Sequence, residues 1–448
     1  MQNRPDTAPD ASVETAVREI IEAVRSEGDS ALRRYAGRFD KCSPSQLEVP
    51  FALAKDAWKK LRNEDSKTAG ALKLAARHIL RFAELQRKQL ISFEYKMEKG
   101  LFTGQLVIPV QRAAVYVPAG RFPLFSSVLM GVIPALAAGV EEIILASPPM
   151  EDGFPNRNIL AAAALSIAVG RNTAAGKANK PKLRIFAAGG AQAIAALALG
   201  TESVPRAGII AGPGNKYVTA AKRMLFGETG IDLIAGPTDV LIIAGKETAD
   251  TAAELIAADM LAQAEHDTEA CARVLVNNIK LAEKISIALE KRLAILPEES
   301  RAIASASLDN NGLIIVYQSK EEAVHAANTI APEHLELFSG DPDSWITAKK
   351  SGKPRLCNFG SLFIGSLSAE VLGDYSAGIN HTLPTSGSAR FTGGLSVRHF
   401  LKTPTTLRCV SGIGFEEAIN AAEILGHAEG LTAHASAARE RRAAMPHQ

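Results

Sequence analysis

The chain has 448 residues, of which 47% are hydrophobic and 22% are charged, and its formal net charge at pH 7 is only +2. That length corresponds to two or three domains with ample apolar cores, and the balance of charge argues against a protein that binds nucleic acid by neutralising phosphates. No apolar run reaches the ~18–20 residues of a membrane span, and four widely separated cysteines without a signal-peptide pattern favour a reducing, cytoplasmic location.

The first part of the chain carries helical patterns. Apolar residues recur at helical spacing from residue 12, and a second block rich in Ala, Leu, Lys and Glu runs from Phe51 to about Leu90. We therefore predict helices up to about residue 95, within an N-terminal helical region that spans residues 1–110.

From about residue 110, short apolar runs typical of β-strands alternate with Ala-rich helical stretches. Strands that are apolar throughout belong to parallel sheets covered on both faces. The pattern predicts an α/β fold with two Rossmann-like parallel-sheet units, at residues 111–236 and 237–395. The predicted strands are residues 113–117, 142–146, 183–187, 208–211, 240–244, 274–276 and 313–317.

The remaining residues, 396–448, form a predicted C-terminal helical tail. Its Ala-rich helical pattern, from Phe415 to Arg442, has no evident partner within the chain, so we expect it to pack on another subunit. Inside the first α/β unit, residues 170–182 are rich in Gly, Asn and Lys and predict a surface loop.

Two short motifs combine histidine with carboxylate or amide side chains. In LAQAEHD, Gln263 and His266 are three residues apart, so on a helix they face the same way and could share one metal ion. In APEHLEL, Glu333 and His334 are adjacent. An imidazole with a pKa near ~6.5 can serve as a base, and a glutamate can activate water. Taken alone, a polar helix end and a solvated charged turn explain the two motifs equally simply.

Two later motifs add histidines. GDYSAGINHTLPTSG contains Asp374 and His381, and HAEGLTAH contains His427, Glu429 and His434. Five of the nine histidines thus lie in or beside four motifs, and four of these five lie near carboxylates. A zinc site supported by neighbouring carboxylates needs such a combination.

Glycine-rich turns form a separate signal. Tyr116-Val-Pro-Ala-Gly follows a predicted strand, Gly-Gly-Ala-Gln192 opens a helix, and Gly-Pro-Gly-Asn215 follows another strand. Each turn could bring backbone N–H groups against a phosphate or an amide. None matches GxGxxG, so these residues do not by themselves establish a dinucleotide site.

Taken in order, the motifs resemble those of the histidinol dehydrogenase family over about residues 12–442. The motifs that carry this resemblance are YVPAG, SSVLM, GGAQAIAALA, GTESVP, GPGN, AGPTD, QAEHD, APEHLEL, GDYSAGINHTLPT, ARFTGGLSV and EGLTAH.

The resemblance implies a metal, a substrate and a cofactor site, and a homodimer in which the second subunit could supply His434 and Glu429. The implied zinc ligands are Gln263, His266, Asp374 and His434. The implied substrate contacts are these four ligands together with Thr238, His334, His381 and Glu429. The implied NAD contacts are Tyr116, Gln192 and Asn215.

The implied reaction is the oxidation of L-histidinol to L-histidine, through the aldehyde, with two NAD+. His334 would take the proton of the alcohol as hydride leaves, and Glu333 would activate the water that adds to the aldehyde. Zinc would chiefly orient the substrate, and it need not act as a Lewis acid.

The chain also departs from the family pattern. AGRFP replaces the usual GGTAP after YVP, which places Arg121 and Phe122 near the expected cleft, and Thr238-Asp239 replaces a common Ser-Glu pair. An Arg-aromatic-Pro sequence at this place is typical of the similar sulfopropanediol dehydrogenases. A paralogue that oxidises another small polar alcohol is therefore an alternative, although Glu429 favours a cationic amino alcohol. A zinc hydrolase that uses Glu333 and a non-enzymatic metal-binding scaffold are further alternatives.

Overall fold

A computed structural model describes five stretches of the chain and confirms the predicted class, an α/β fold with two parallel-sheet units. No helix among the described residues is both long and apolar enough to traverse a bilayer. The described residues are 11–42, 44–119, 123–171, 181–348 and 355–444.

The secondary structure follows the predicted alternation of strands and helices. The strands are β1 (Glu48–Val49), β2 (Phe93–Glu98), β3 (Leu101–Gln105), β4 (Ile108–Pro109), β5 (Arg112–Tyr116), β6 (Glu142–Ser147), β7 (Lys182–Ala187), β8 (Ile209–Ala211), β9 (Gly230–Ile231), β10 (Asp239–Ala244), β11 (Cys271–Val276), β12 (Leu313–Val316), β13 (His334–Phe338), β14 (Ser361–Ile364), β15 (Leu401–Lys402) and β16 (Thr405–Cys409). The helices are α1 (Ala11–Glu27), α2 (Asp29–Phe39), α3 (Phe51–Glu64), α4 (Ser66–Lys88), α5 (Phe125–Ala138), α6 (Arg157–Gly170), α7 (Gly190–Leu199), α8 (Lys216–Leu225), α9 (Ala253–Ala264), α10 (Ile279–Ile295), α11 (Glu298–Asn311), α12 (Lys320–Ile330), α13 (Asp343–Ile346), α14 (Glu370–Tyr375), α15 (Ile413–Ala428) and α16 (Thr432–Ala443).

The first sheet has the strand order β1-β7-β6-β5-β8-β9 and is parallel except for β1, which pairs antiparallel with β7 at one edge. Helices α3 to α6 cover one face, and α1, α2, α7 and α8 cover the other. Small residues let these helices approach the strands closely. A β-carbon at Gly131 of α5 would lie only 2.4 Å from the Val115 side chain.

The second sheet is entirely parallel, in the order β12-β11-β10-β13-β14. Its strands β10 and β11 are buried along their whole length. The last strand of the first sheet ends at Ile231 and the first strand of the second sheet begins at Asp239. Every strand predicted for either unit overlaps a strand of one of these sheets.

Strands also occur inside the two terminal regions that were predicted to be helical. β2 and β3 form an antiparallel sheet with β16, and β4 pairs with β15. The expectation of helix up to about residue 95 is therefore wrong after Lys88, where α4 ends, and the first two strands of the tail are β15 and β16. β3 and β4 each pair with a strand about 300 positions later in the chain, and such contacts leave no local periodicity from which to predict them.

The C-terminal helical pattern is two helices rather than one. Helix α15 ends at Ala428 and α16 begins at Thr432, and Gly430 between them has a φ of +76°, a left-handed conformation that favours glycine. The two helices pack against each other. Residues 172–180 of the predicted surface loop lie outside the described residues.

The GTESVP motif attaches the N-terminal helices to the first sheet. The Asp29 carboxylate, at the start of α2, accepts hydrogen bonds from the hydroxyls of Thr201 (2.6 Å) and Ser203 (2.5 Å), and the Asp29 backbone N–H donates to Glu202 at 2.8 Å. Burial opposes ionisation of Asp29, but these hydrogen bonds hold its pKa below its ordinary value.

We predict that Asp29→Asn lowers the free energy of unfolding by about 2–3 kcal/mol at pH 7, because hydrogen bonds to a buried charge are lost. The pKa of Asp29 is lowered in the folded state. Its stabilisation is therefore complete above about pH 4 and is lost as the pH falls through the folded-state pKa. Urea denaturation of both proteins from pH 7 to pH 3 measures this, and the two curves should converge in acid.

Asp65→Asn is the matched control. Asp65 is an exposed N-cap whose carboxylate accepts only a local hydrogen bond, from the Thr68 N–H, and Asn caps helices about as well as Asp. Equal losses of stability in the two variants would contradict the role given to Asp29.

Candidate active site

The amino ends of two adjacent strands bring the APEHLEL and AGPTD motifs together. Strands β10 and β13 run parallel with Val240 opposite His334, so Thr238 and Asp239 lie beside Glu333. Open α/β sheets usually bind ligands at the carboxyl ends of their strands. In the second sheet this cluster of polar groups instead lies at the amino ends.

Glu333 is almost fully buried and is held from two sides. Its Oε2 accepts a hydrogen bond from the Thr238 hydroxyl (2.5 Å) and from the Asp239 N–H (3.2 Å), while its own N–H donates to Asp239 Oδ1 (3.0 Å). Burial raises the pKa of the Glu333 carboxyl to about 7, against the opposing effects of the His334 charge and the Thr238 hydrogen bond. A carboxyl with this pKa can exchange a proton near neutral pH.

His334 lies among three carboxylates. Its Nδ1 is 3.7 Å from Glu370 Oε2 and 4.0 Å from Glu333 Oε2, and its Nε2 is 3.7 Å from Asp374 Oδ1. Both ring nitrogens are buried and neither has a partner within hydrogen-bond distance. Burial alone would lower the pKa of His334, but the surrounding carboxylates raise it to about 10. The carboxylates therefore hold the ring by charge rather than by close hydrogen bonds.

Glu370, at the start of α14, is completely buried behind His334 and also contacts Gln263. With its amide nitrogen on the Glu370 side, Gln263 donates to Glu370 Oε1 at 3.0 Å, and its amide oxygen lies 2.7 Å from Thr238 Oγ1 and 3.3 Å from the Asp239 N–H. Burial raises the pKa of Glu370 to about 8. In this orientation the Gln263 oxygen, which the resemblance assigns to zinc, faces the Asp239 N–H, while the single proton of the Thr238 hydroxyl is donated to Glu333.

The GDYSAGINH loop adds Asp374 and His381. His381 Nδ1 lies 3.0 Å from the Asp374 carbonyl oxygen, to which it can donate, and His381 Nε2 then accepts from the Ser127 hydroxyl at 3.0 Å. Burial lowers the pKa of His381, which keeps the ring neutral. Burial alone would raise the pKa of Asp374, but His334, His381 and His266 hold it below its ordinary value. Because Ser127 belongs to α5, the site lies between the two α/β units.

The three predicted cofactor residues lie at the carboxyl edge of the first sheet. Tyr116 ends β5 and is buried, and its hydroxyl accepts a hydrogen bond from the Gly190 N–H at 3.0 Å; burial raises its pKa to about 12. Gln192 is buried in α7, and its amide oxygen has no partner. Asn215 caps α8, because its side-chain oxygen accepts hydrogen bonds from the backbone N–H groups of Tyr217 and Val218. Arg121 and Phe122 lie outside the described residues.

The structure does not bring every predicted site residue together in one chain. His266 is exposed just after α9 but acts electrostatically on Asp374 and His381. Glu429 and His434 are exposed on the C-terminal helical pair. Within the described part of the chain, no group of three or more His, Cys, Asp or Glu side chains is arranged to hold a metal ion.

Three residues of the site were not predicted from the sequence as members of it. Glu370 is four residues before Asp374, a spacing that places two carboxyls on one helical face. Ser127 lies in the SSVLM motif, but its contact with His381 joins residues 254 positions apart. Asp239 was noted only as a substitution, and its bonds to Glu333 depend on the register of β10 and β13.

A buried carboxyl–imidazole pair between two parallel-sheet units defines an α/β enzyme equipped for proton transfer. The histidinol dehydrogenase family model matches residues 3–442. The histidinol dehydrogenases of Aquifex aeolicus and Prochlorococcus marinus are each 42% identical to this chain; the alignments cover 96% and 95% of this chain and 92% and 89% of those proteins. The crystal structure of histidinol dehydrogenase from Elizabethkingia anophelis has a TM-score of 0.86 at 33% identity, covering 98% of this chain and 94% of that chain. The chain therefore belongs to the histidinol dehydrogenase family, and it is an oxidoreductase.

Proposed function

We propose that this protein oxidises L-histidinol to L-histidine with two NAD+ and with zinc at the active site, the last step of histidine biosynthesis. The observation that carries the proposal is the buried pair Glu333 and His334 beside Thr238, Gln263 and Asp374, in a chain that matches histidinol dehydrogenases along nearly its whole length. Two successive oxidations need a base for the alcohol and a base for water, and the pair offers both.

The donor set of the site fits zinc. Gln263, His266 and Asp374 would supply oxygen and imidazole ligands, which zinc accepts, and the two buried nitrogens of His334 beside them have no hydrogen-bond partner. The fourth proposed ligand, His434, is exposed on its own chain, so we propose that a second copy supplies it together with Glu429. Zinc in this place would hold the imidazole and amine of the substrate and so orient its hydroxymethyl group.

The carboxyl edge of the first sheet fits a dinucleotide. Three strand-to-helix turns end there, and the buried Gln192 oxygen has a free lone pair beside the Gly190 backbone. We propose that Tyr116, Gln192 and Asn215 contact NAD+, which would accept one hydride in each oxidation.

In the first oxidation His334 would remove the proton of the substrate hydroxyl. Before substrate binds, the three neighbouring carboxylates hold the His334 ring as a cation. A cationic substrate that takes up the charge of Asp374 and Glu370 lowers the pKa of His334 towards neutrality, and the ring can then accept a proton.

In the second oxidation Glu333 would remove a proton from the water that adds to the aldehyde. The Thr238 hydroxyl and the Asp239 N–H fix one carboxylate oxygen, so the carboxyl is oriented before substrate binds. The hydrate then loses its hydride, and the product is the carboxylate.

The acidity of the site favours the amino alcohol over a sulfonated one. Glu333, Glu370 and Asp374 surround His334, and Asp259 acts on Glu370 from behind. This concentration of carboxyl groups attracts an ammonium or imidazolium and repels a sulfonate. Oxidation of a sulfopropanediol remains the alternative, and the sequence feature that favours it is Arg121.

Counting the NADH formed per molecule of substrate tests the proposal. Limiting L-histidinol with excess NAD+ should yield two NADH, followed by absorbance, and removal of zinc by a chelator should abolish the reaction until zinc is restored. NADH from a sulfopropanediol but none from histidinol would assign the alternative instead.

Glu333→Gln should separate the two oxidations. We expect it to slow histidinal oxidation by about 100-fold or more while slowing histidinol oxidation much less, because the base for water is lost. In the unaltered enzyme the second step should require the ionised carboxylate, so its rate falls as the pH drops below about 7. Rapid-mixing assays with each substrate measure both rates.

Glu247→Gln is the control, because it alters an exposed carboxylate beyond the other end of β10. Equal slowing of both oxidations by Glu333→Gln would refute the role given to this residue.

Mixing two variants that are each impaired in histidinal oxidation tests whether each site uses two chains. If His334 and Glu333 of one copy act with His434 of another, co-expressed Glu333→Gln and His434→Ala chains form mixed dimers with one intact site each. Histidinal oxidation should then return, and metal analysis should show that the His434→Ala protein alone is depleted of zinc. No regained activity in purified mixed dimers would place all these residues in one chain.

A further inference from the structure

A buried ion pair lies beneath the turn that carries Asn215. Lys222 of α8 donates to Asp232, which follows β9, and their side chains are 3% and 0% exposed. No other lysine or arginine ion pair in the described parts of the chain has both side chains so buried. The proposed chemistry does not use this pair.

The pair binds both backbone polar groups of Gly212. The Gly212 N–H donates to Asp232 Oδ2 at 2.7 Å, and Lys222 Nζ donates to the Gly212 carbonyl at 3.0 Å. Gly212 is the first residue beyond β8, where hydrogen bonding within the sheet ends. The two side chains therefore supply the partners that a neighbouring strand no longer offers.

The backbone conformation of Gly212 leaves no space for a side chain at this position. Its φ is +114°, and a β-carbon there would lie 2.1 Å from the Tyr116 carbonyl oxygen. The turn thus leaves the sheet directly against the end of β5. At its other end Asn215 caps α8, the helix that also carries Lys222, so the pair is connected to both ends of the turn.

We propose that Lys222 and Asp232 are positioning residues for the cofactor turn, residues 212–215. A buried ion pair contributes little more to stability than apolar side chains of the same volume, whereas its directed bonds hold Gly212 in one orientation. The turn is thereby kept in the shape that receives the dinucleotide. This inference rests on the proposed function, because it takes NAD+ as the ligand of the turn.

The test compares NAD+ binding with substrate kinetics in two variants. Asp232→Asn is nearly isosteric and removes one acceptor, and the double variant Lys222→Met/Asp232→Asn removes both charges without leaving one unpaired in the interior. In each, the Kd of NAD+ from calorimetry and the KM for NAD+ should rise about tenfold or more. The KM for histidinol and the zinc content should stay within about twofold of the unaltered enzyme's values.

Arg184→Met is the matched control. It breaks the half-buried pair of Arg184 with Glu48, which joins β7 to the edge strand β1 of the same sheet. We expect a lower unfolding temperature with unchanged NAD+ affinity.

The outcomes separate this inference from the proposed function. If a folded Asp232→Asn protein keeps its NAD+ affinity and only its unfolding temperature falls, the pair is purely structural and the inference is overturned. If the unaltered protein neither binds NAD+ nor forms NADH from histidinol, the proposed function fails first and this inference fails with it.

Discussion

The site depends on the reciprocal hydrogen bonds between Asp239 and Glu333. Each residue's backbone N–H donates to the other's carboxylate, across the amino ends of β10 and β13. An unpaired ionised carboxylate in the protein interior is very costly. These bonds, together with the Thr238 hydroxyl, offset part of that cost and leave Glu333 with a pKa of about 7. The same contacts that align the two strands therefore produce the base that the proposed reaction needs.

The second property of the site is its excess of carboxyl groups over cations. Glu370, Glu333 and Asp374 approach a single imidazole, and their charge outweighs the effect of burial on the pKa of His334. Such a cluster is suited to a ligand that brings positive charge. In the proposed reaction, a cationic substrate would weaken the field of these carboxylates on His334, and substrate binding would then make the ring a better base.

The two sheets contribute opposite edges to the functional region. The first presents the carboxyl ends of its strands, with Tyr116 and Asn215, and the second presents the amino ends, with Thr238 and Glu333. The contact between Ser127 and His381 joins them. In the proposed function the first edge would receive the dinucleotide and the second edge would supply the groups that transfer protons.

Sequence periodicity predicted both parallel-sheet units and seven of their strands, because buried parallel strands are apolar throughout and their helices carry local signals. It did not predict β1, β9, β13 or β14. It failed after Lys88, where α4 ends and β2 follows from Phe93; β2 pairs locally with β3, but β3 also pairs with β16, about 300 positions later in the chain. The motifs also located Glu333, His334 and Asp374. They could not locate Glu370 as a neighbour of Gln263, since that contact depends on how α14 lies against α9.

The C-terminal helices complete the physical argument for a second copy of the chain. Glu429 and His434 flank the break at Gly430, and both are exposed. The same helices expose Ile413, Ile424 and Leu425, each by more than half of its surface. Apolar side chains exposed together mark a surface for association. The exposed His434 could act as a metal ligand only if association placed it beside the acidic site of another copy of the chain. Covering the apolar residues and completing the metal ligands would then be the same event.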